Sequence, residues 1–351
     1  MIKKDCAASP AGEITLLTIV NASGASVVLT NVGAGVVAVN VPDRNGKLDD
    51  IALGYADPAD YIGDGPCSGK VPGRYANRIA RGIFYLDGLE YHLPINNGPN
   101  CNHGGPDGFN NQLWTVVSAE GNKVKFEYVS ADGEAGFPGK LTAGAEYEWT
   151  DGNELKLTLT ATTDAKTVVN LTNHAYWNLA GHNSGSVLGN NMRIAASNYL
   201  PTDEVQIPLG QPEAVAGTPM DFTEFKAIGR DIKEDFTALK IGKGYDHCWV
   251  VDDWKPGCVK PVAWLEEETS GRVLEVSTDQ PGVQVYTGNW LAGSPKGKGG
   301  YEYKDYDAVA IECQDFPDAP NHPEFPSTRL NPSEIYRRHI IFSFKTRAKA
   351  K

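Results

Sequence analysis

The 351-residue sequence predicts an all-β protein, a large antiparallel sandwich with few short helices, and three observations carry that reading. Apolar and polar residues alternate from end to end, the mark of strands with one face buried. Glycine and proline number 38 and 22, a density of turn residues that suits many short strands better than long helices. No stretch keeps a helical apolar period over three turns.

In chain order, Asp87-Gly88 is a two-residue hairpin turn between residues 83–86 and 89–93. Gly121-Asn122 precedes an alternating strand at 123–128, and Asp151-Gly152 precedes another at 155–160, where Leu155, Leu157 and Leu159 face one way. From Val168 onward, alternation places Asn170, Thr172, His174 and Tyr176 on one face, opposite Val169, Leu171 and Ala175. Residues 282–286 set Gln284 beside Tyr286. Residues 309–313 bury Val309, Ile311 and Cys313 and leave Glu312 with Gln314, and 340–344 close the chain as a last strand. Pro317, Pro320, Pro323 and Pro326 recur every third residue, which predicts a stiff polyproline II wall beside the Glu312 strand. Gly297-Lys298-Gly299-Gly300 reads as a mobile charged hairpin tip. No linker or internal repeat interrupts the chain, so 1–351 reads as a single domain.

Charge and motifs narrow the function. Lys plus Arg total 32 against 44 for Asp plus Glu, and the resulting −12 argues against nucleic acid and anionic membranes as partners. The longest apolar runs, such as 33–41, fall short of the ~20 residues that span a bilayer. Asp5, Ser9, Pro10 and Glu13 interrupt any signal-peptide core, and the six scattered cysteines form no CxxC pair. A soluble cytoplasmic protein with reduced thiols is the expectation. A phosphate loop fails because Gly69-Lys70 is followed by Val71 and Asp64 stands where the first glycine belongs. The seven histidines show neither HxH nor HExxH spacing, which leaves no metal expected, and GxSxG is absent.

What remains is polar residues on strand-like or glycine-rich segments: Asn77-Arg78, His103-Gly104-Gly105, Asn173-His174, Gly244-Tyr245-Asp246-His247, Gln284 and Glu312. A carboxylate and an imidazole among amides and aromatics suit proton transfer on a sugar. Asp246 reads equally well as a turn residue capping backbone amides.

These segments resemble the aldose 1-epimerase (galactose mutarotase) family. The likeness runs in family order through Gly73-Arg74-Tyr75-Ala76-Asn77-Arg78-Ile79-Ala80, Pro94-Ile95-Asn96-Asn97-Gly98-Pro99-Asn100, His103-Gly104-Gly105, Asn173-His174-Ala175-Tyr176-Trp177-Asn178-Leu179, Gly244-Tyr245-Asp246-His247, residues 280–289 and Glu312-Cys313-Gln314. The resemblance implies a galactose mutarotase-like antiparallel β supersandwich. It also implies that α and β anomers of free hexoses such as galactose and glucose are interconverted by ring opening and closure. Glu312 would be the general base and His174 the general acid, starting ionised and protonated respectively. Asn77, Arg78, His103, Asp246 and Gln284 would hold the sugar. No cofactor is implied, the partner is a free aldohexose, and a monomer or homodimer fits. Trp177 and Cys313 stand where phenylalanine and threonine are common, and Trp177 bears on the shape of the pocket. Two alternatives are a hexose-6-phosphate 1-epimerase, which needs basic residues beyond Arg74 and Arg78, and a sugar-binding sandwich without catalysis.

Overall fold

The computed structural model describes residues 2–348. Its strands form three main sheets, and every pairing between strands is antiparallel. Residues Ile2–Ser9 to Leu48–Asp50 make a five-stranded meander. A nine-stranded sheet runs from Thr115–Glu120 through Lys123–Ser130, Leu141–Trp149, Glu154–Thr163 and Tyr336–Thr346 to Arg272–Thr278, Lys260–Glu266, Asn191–Ile194 and Lys226–Ala227. The third sheet orders Tyr176–Trp177, Val309–Gln314, Gly282–Tyr286, Asp246–Val250, Asn198–Leu200 and Glu213–Ala214. The six-residue Thr237–Gly242 is the only α-helix among the described residues. The all-β expectation therefore holds, and no helix among the described residues is long and apolar enough to cross a membrane.

The six-stranded sheet positions the site by parity. Its strands pair Gln284 with Glu312, Asp246 with Tyr286 and Tyr176 with Ala310, so these side chains share one face. The opposite face carries Trp177, Val309, Ile311, Cys313, Val283, Val285 and Trp249 into the main core, which draws residues from Leu17 to Phe344. Trp177 packs its ring on Phe342 and Phe344 at 5.1 and 5.4 Å, so it does not shape the pocket as the sequence suggested. The Glu312 strand, the Asp87-Gly88 hairpin and the leucine strand stand as read.

Three local readings need correction. Residues 171–175 do not form a ladder, because asparagine amides bind distant backbone instead. Asn173 Nδ2 donates to the Gly69 carbonyl at 2.7 Å, and Asn170 Nδ2 donates to those of Ala76 and Asp315, each at 3.1 Å. Asn170 and Thr172 are thus buried inside the protein, and of the four residues assigned to one polar face only His174 and Tyr176 reach a cleft. The proline segment is not a continuous polyproline ridge. Asp318 adopts φ 55° and a 3₁₀ turn follows at Ala319–Asn321, fastened by Asn321 Nδ2 to Asp318 Oδ1 at 2.7 Å. Phe316, Ala319 and Phe325 bury beside Leu200 and Cys248. Finally, Lys298 is no mobile tip: its Nζ donates to the Val37 and Ala52 carbonyls at 2.8 Å and pairs with Asp50.

Candidate active site

A cleft of about 560 Å³ opens over the polar face of the six-stranded sheet. Of the seven residues singled out from the sequence, Asn77, Arg78, His103, His174, Asp246 and Glu312 line it. Gln284 does not. It shares the face with its cross-strand partner Glu312, and its Nε2 donates to Asp246 Oδ1 at 2.7 Å.

Each element delivers its group for a local reason. Glu312 sits mid-strand, flanked by the core residues Ile311 and Cys313, and is 2% exposed. His174 arrives on the irregular segment, its backbone N–H donating to the Lys70 carbonyl and its carbonyl accepting from the Gly69 N–H, both at 2.9 Å. Its Nε2 lies 3.4 Å from Glu312 Oε1. Asn77 and His103 lock each other: the His103 N–H donates to the Asn77 carbonyl, and the Asn77 N–H donates to His103 Nδ1, both at 3.1 Å. Both residues sit at positive φ, 63° and 54°, held there by this mutual pairing.

That contact also fixes a tautomer. With Nδ1 accepting, a neutral His103 carries its proton on Nε2 and offers the cleft a donor. His103, His174 and Glu312 bring one donor atom each to within 4.8 Å of one another, a grouping with metal-ligand chemistry. A ligating imidazole, however, normally donates its second nitrogen to an acceptor, and His103 does the reverse. In that tautomer His103 Nε2 carries a hydrogen and has no free lone pair to offer an ion.

Asp246 opens a strand rather than capping a turn. Its carboxylate accepts from Gln284 on one oxygen and from Gln206 Nε2 on the other, both at 2.7 Å, with Arg78 Nη2 at 3.6 Å. Arg78 donates from Nε to Asn97 Oδ1 at 3.0 Å and from Nη2 to Gln206 Oε1 at 2.7 Å. Gln206 therefore bridges the acid and the base of this pair, and sequence reading missed it. It caps a loop shaped by Asp203 and tied by Asn100 Nδ2 to the Val205 carbonyl, with no motif of its own. Asn97, Asn102, Tyr176, Tyr286 and Trp290 also line the cleft. Arg74 turns away, donating to the Pro138 and Gly139 carbonyls at 2.8 and 2.9 Å.

Burial sets the protonation. It pushes the Glu312 carboxyl well above the usual carboxylate range, with Asp246 adding to the push and Arg78 opposing it. It holds the His174 imidazole down to about 4, and that of the fully buried His247 also to about 4. Burial therefore favours a neutral acid beside a neutral imidazole, the reverse of the charged pair expected from the sequence. Both arrangements hold one proton across a 3.4 Å gap.

A stability prediction follows. His174 and His247 fold neutral but protonate near 6.5 when unfolded, so their contribution is complete above that pH and is lost as pH falls towards 4. Each should remove on the order of 2 kcal/mol by pH 5. Glu312 acts in the opposite sense, since a raised acid contributes below its unfolded value and loses that contribution as pH rises. Urea unfolding at pH 7 and pH 5 of the Glu312→Gln variant, in which the opposing carboxyl is gone, measures the imidazole contribution, and equal stabilities there would contradict neutral burial of the two imidazoles.

The chain is similar to known proteins over most of its length. Residues 15–343 match the family described as aldose 1-epimerase. Galactose mutarotase from Homo sapiens is 43% identical over 316 residues, 89% of each chain. Aldose 1-epimerase from Escherichia coli strain K12 is 38% identical over 350 residues, 98% of this chain and 99% of that one. The crystal structure of an aldose epimerase homologue from C. elegans superposes with a TM-score of 0.87 at 31% identity, covering 94% of this chain and 98% of that chain.

Proposed function

The chain belongs to the aldose 1-epimerase family and is a carbohydrate isomerase that interconverts aldose anomers; from that premise we propose that Glu312 and His174 perform the proton transfers on a free hexose such as galactose or glucose. The observation that carries the assignment is the buried pair at 3.4 Å on the floor of the cleft. Glu312 takes the proton of the C1 hydroxyl, the C1–O5 bond breaks, and its electron pair captures the proton that His174 gives to O5. The open aldehyde turns about C1–C2. On closure His174 takes the O5 proton back and Glu312 returns its own to O1, so the enzyme regains its starting form.

Burial assists the step that costs most. Ring opening turns a carboxylate and an imidazolium into a neutral acid and a neutral imidazole, the arrangement that a dry cleft prefers. The proton must first pass from Glu312 to His174 across the 3.4 Å gap, and ring opening recovers that cost by restoring the neutral pair. Glu312 Oε2, buried without a hydrogen-bond partner among the described residues, offers a further acceptor to the sugar. Asn77, the Nε2–H of His103, Arg78 and Asp246 orient its hydroxyls, with Gln284 and Gln206 holding Asp246 in place.

The alternatives fare less well on specific observations. Among the described residues lining the cleft, Arg78 is the only lysine or arginine, and it faces two carboxylates, a poor setting for a sugar phosphate. A binding module has no use for the Glu312–His174 pair. The six cysteines are all free, which supports a reducing cytoplasm, and the core shared from Leu17 to Phe344 supports one domain over 1–351. Polarimetry of freshly dissolved α-galactose, α-glucose and hexose 6-phosphates is the test; spontaneous rates throughout would sink the proposal. Arg78→Lys should lower kcat/KM by ~10-fold or more, because a point charge cannot hold Asn97 and Gln206 together as the planar fork does. Unchanged kinetics would reassign Arg78 to structure.

A further inference from the structure

Asp64 and Lys70 frame the stretch that fails as a phosphate loop, and both side chains are wholly buried. Lys70 Nζ pairs with Asp64 Oδ1 and donates to the Tyr61 carbonyl and to Asn111 Oδ1, the last at 3.3 Å. Asp64 Oδ2 accepts from the Tyr55 hydroxyl at 2.7 Å and from the Ser68 N–H at 2.8 Å. The pair is fully satisfied, as a buried pair must be to repay its desolvation.

Its placement ties it to His174. Gly69 and Lys70 are the residues whose N–H and carbonyl bond both backbone groups of His174. The segment has no slack on its other side: the Val36 N–H donates to the Gly69 carbonyl at 2.9 Å, and a Cβ at Gly69, where φ is 75°, would meet the Val36 carbonyl oxygen at 1.9 Å. The same loop supplies Gly65 and Pro66 to the cleft wall, where the Pro66 carbonyl accepts from the Tyr176 hydroxyl at 2.9 Å.

We infer that the Asp64–Lys70 pair is a positioning device for His174, an ionic brace that fixes the backbone carrying the imidazole and thereby its gap to Glu312. The inference rests on reading His174 as the acid. Glu312 at 3.4 Å faces the imidazole directly, with the rings of Tyr176, His103 and Tyr286 at 5.0, 5.3 and 6.4 Å. Asp64, Asp246 and Lys70 act on it by charge, the two carboxylates favouring its proton and the ammonium opposing it.

The experiment compares Lys70→Met, the double variant Asp64→Asn with Lys70→Met, Tyr55→Phe and His174→Asn, each as turnover per folded molecule, KM and rate against pH. Lys70→Met should lower kcat by ~10-fold with KM changed less than ~3-fold, since the misplaced group acts in the step and not in binding. Its acid limb should move to higher pH, because the ammonium that opposes the His174 proton is gone. The double variant should keep the kcat loss while the limb returns towards that of the parent. Tyr55→Phe takes one donor from Asp64, spares the aromatic packing and should lose ~3-fold in kcat; it decides alone if the charge variants do not fold. Folded variants with parental kcat and both limbs unmoved would overturn the brace. If His174→Asn is crippled while these variants are not, only the brace fails; if His174→Asn turns over normally, the acid assignment beneath it fails.

Discussion

Glu312→Gln should lose ~10²-fold or more in kcat while KM stays within a few-fold and the thermal midpoint at neutral pH does not fall. The amide keeps the volume and planar shape of the side chain but cannot accept the C1 hydroxyl proton. Its structural cost is small, because among the described residues Glu312 Oε2 has no hydrogen-bond partner and Oε1 lies 3.4 Å from His174 Nε2. Replacing an ionisable group whose charged form burial disfavours with a neutral one removes a penalty instead of adding one. Mutarotation followed by polarimetry, with thermal unfolding in parallel, checks both halves. A variant with near-normal turnover would take Glu312 out of the chemistry, and a large KM increase would recast it as a binding group.

The strand that carries Glu312 was legible because its alternation is strict: Val309, Ile311 and Cys313 enter the core, and parity leaves Glu312 facing the cleft. The same parity sends Trp177 into the core once Tyr176 faces outward, so the apparent departure at that position concerns packing on Phe342. Alternation misled at residues 170–175, since Asn170 and Asn173 satisfy backbone groups around residues 69–76 and 315, contacts of high sequence separation that no local period encodes. Gln206 was invisible for a related reason. Its partners Arg78 and Asp246 lie 128 and 40 residues away, and the loop that presents it carries no pattern beyond a turn. Lys298 looked like a solvated tip because composition cannot report that the Val37 and Ala52 carbonyls wait for its ammonium.

His174→Asn tests the pairing itself. In the parent enzyme the active form holds one proton between His174 and Glu312, so the rate should fall at low pH when a second proton enters and at high pH when the single proton leaves. Burial holds the His174 imidazole near 4, which places the acid limb low. With asparagine in place of the imidazole, Glu312 titrates alone, and burial together with Asp246 keeps its carboxyl above the ordinary range. The variant should therefore lose ~10²-fold in kcat and lose its alkaline limb, while its acid limb moves to higher pH than in the parent. The reading in which His174 merely hydrogen-bonds the sugar predicts the opposite on each count: modest loss, a surviving alkaline limb and an unmoved acid limb. Rate–pH profiles of the two proteins separate the cases. An alkaline limb that persists would assign the proton to another donor, and His103, whose ring lies 5.3 Å from that of His174 and whose Nε2–H faces the cleft, is the group to replace next.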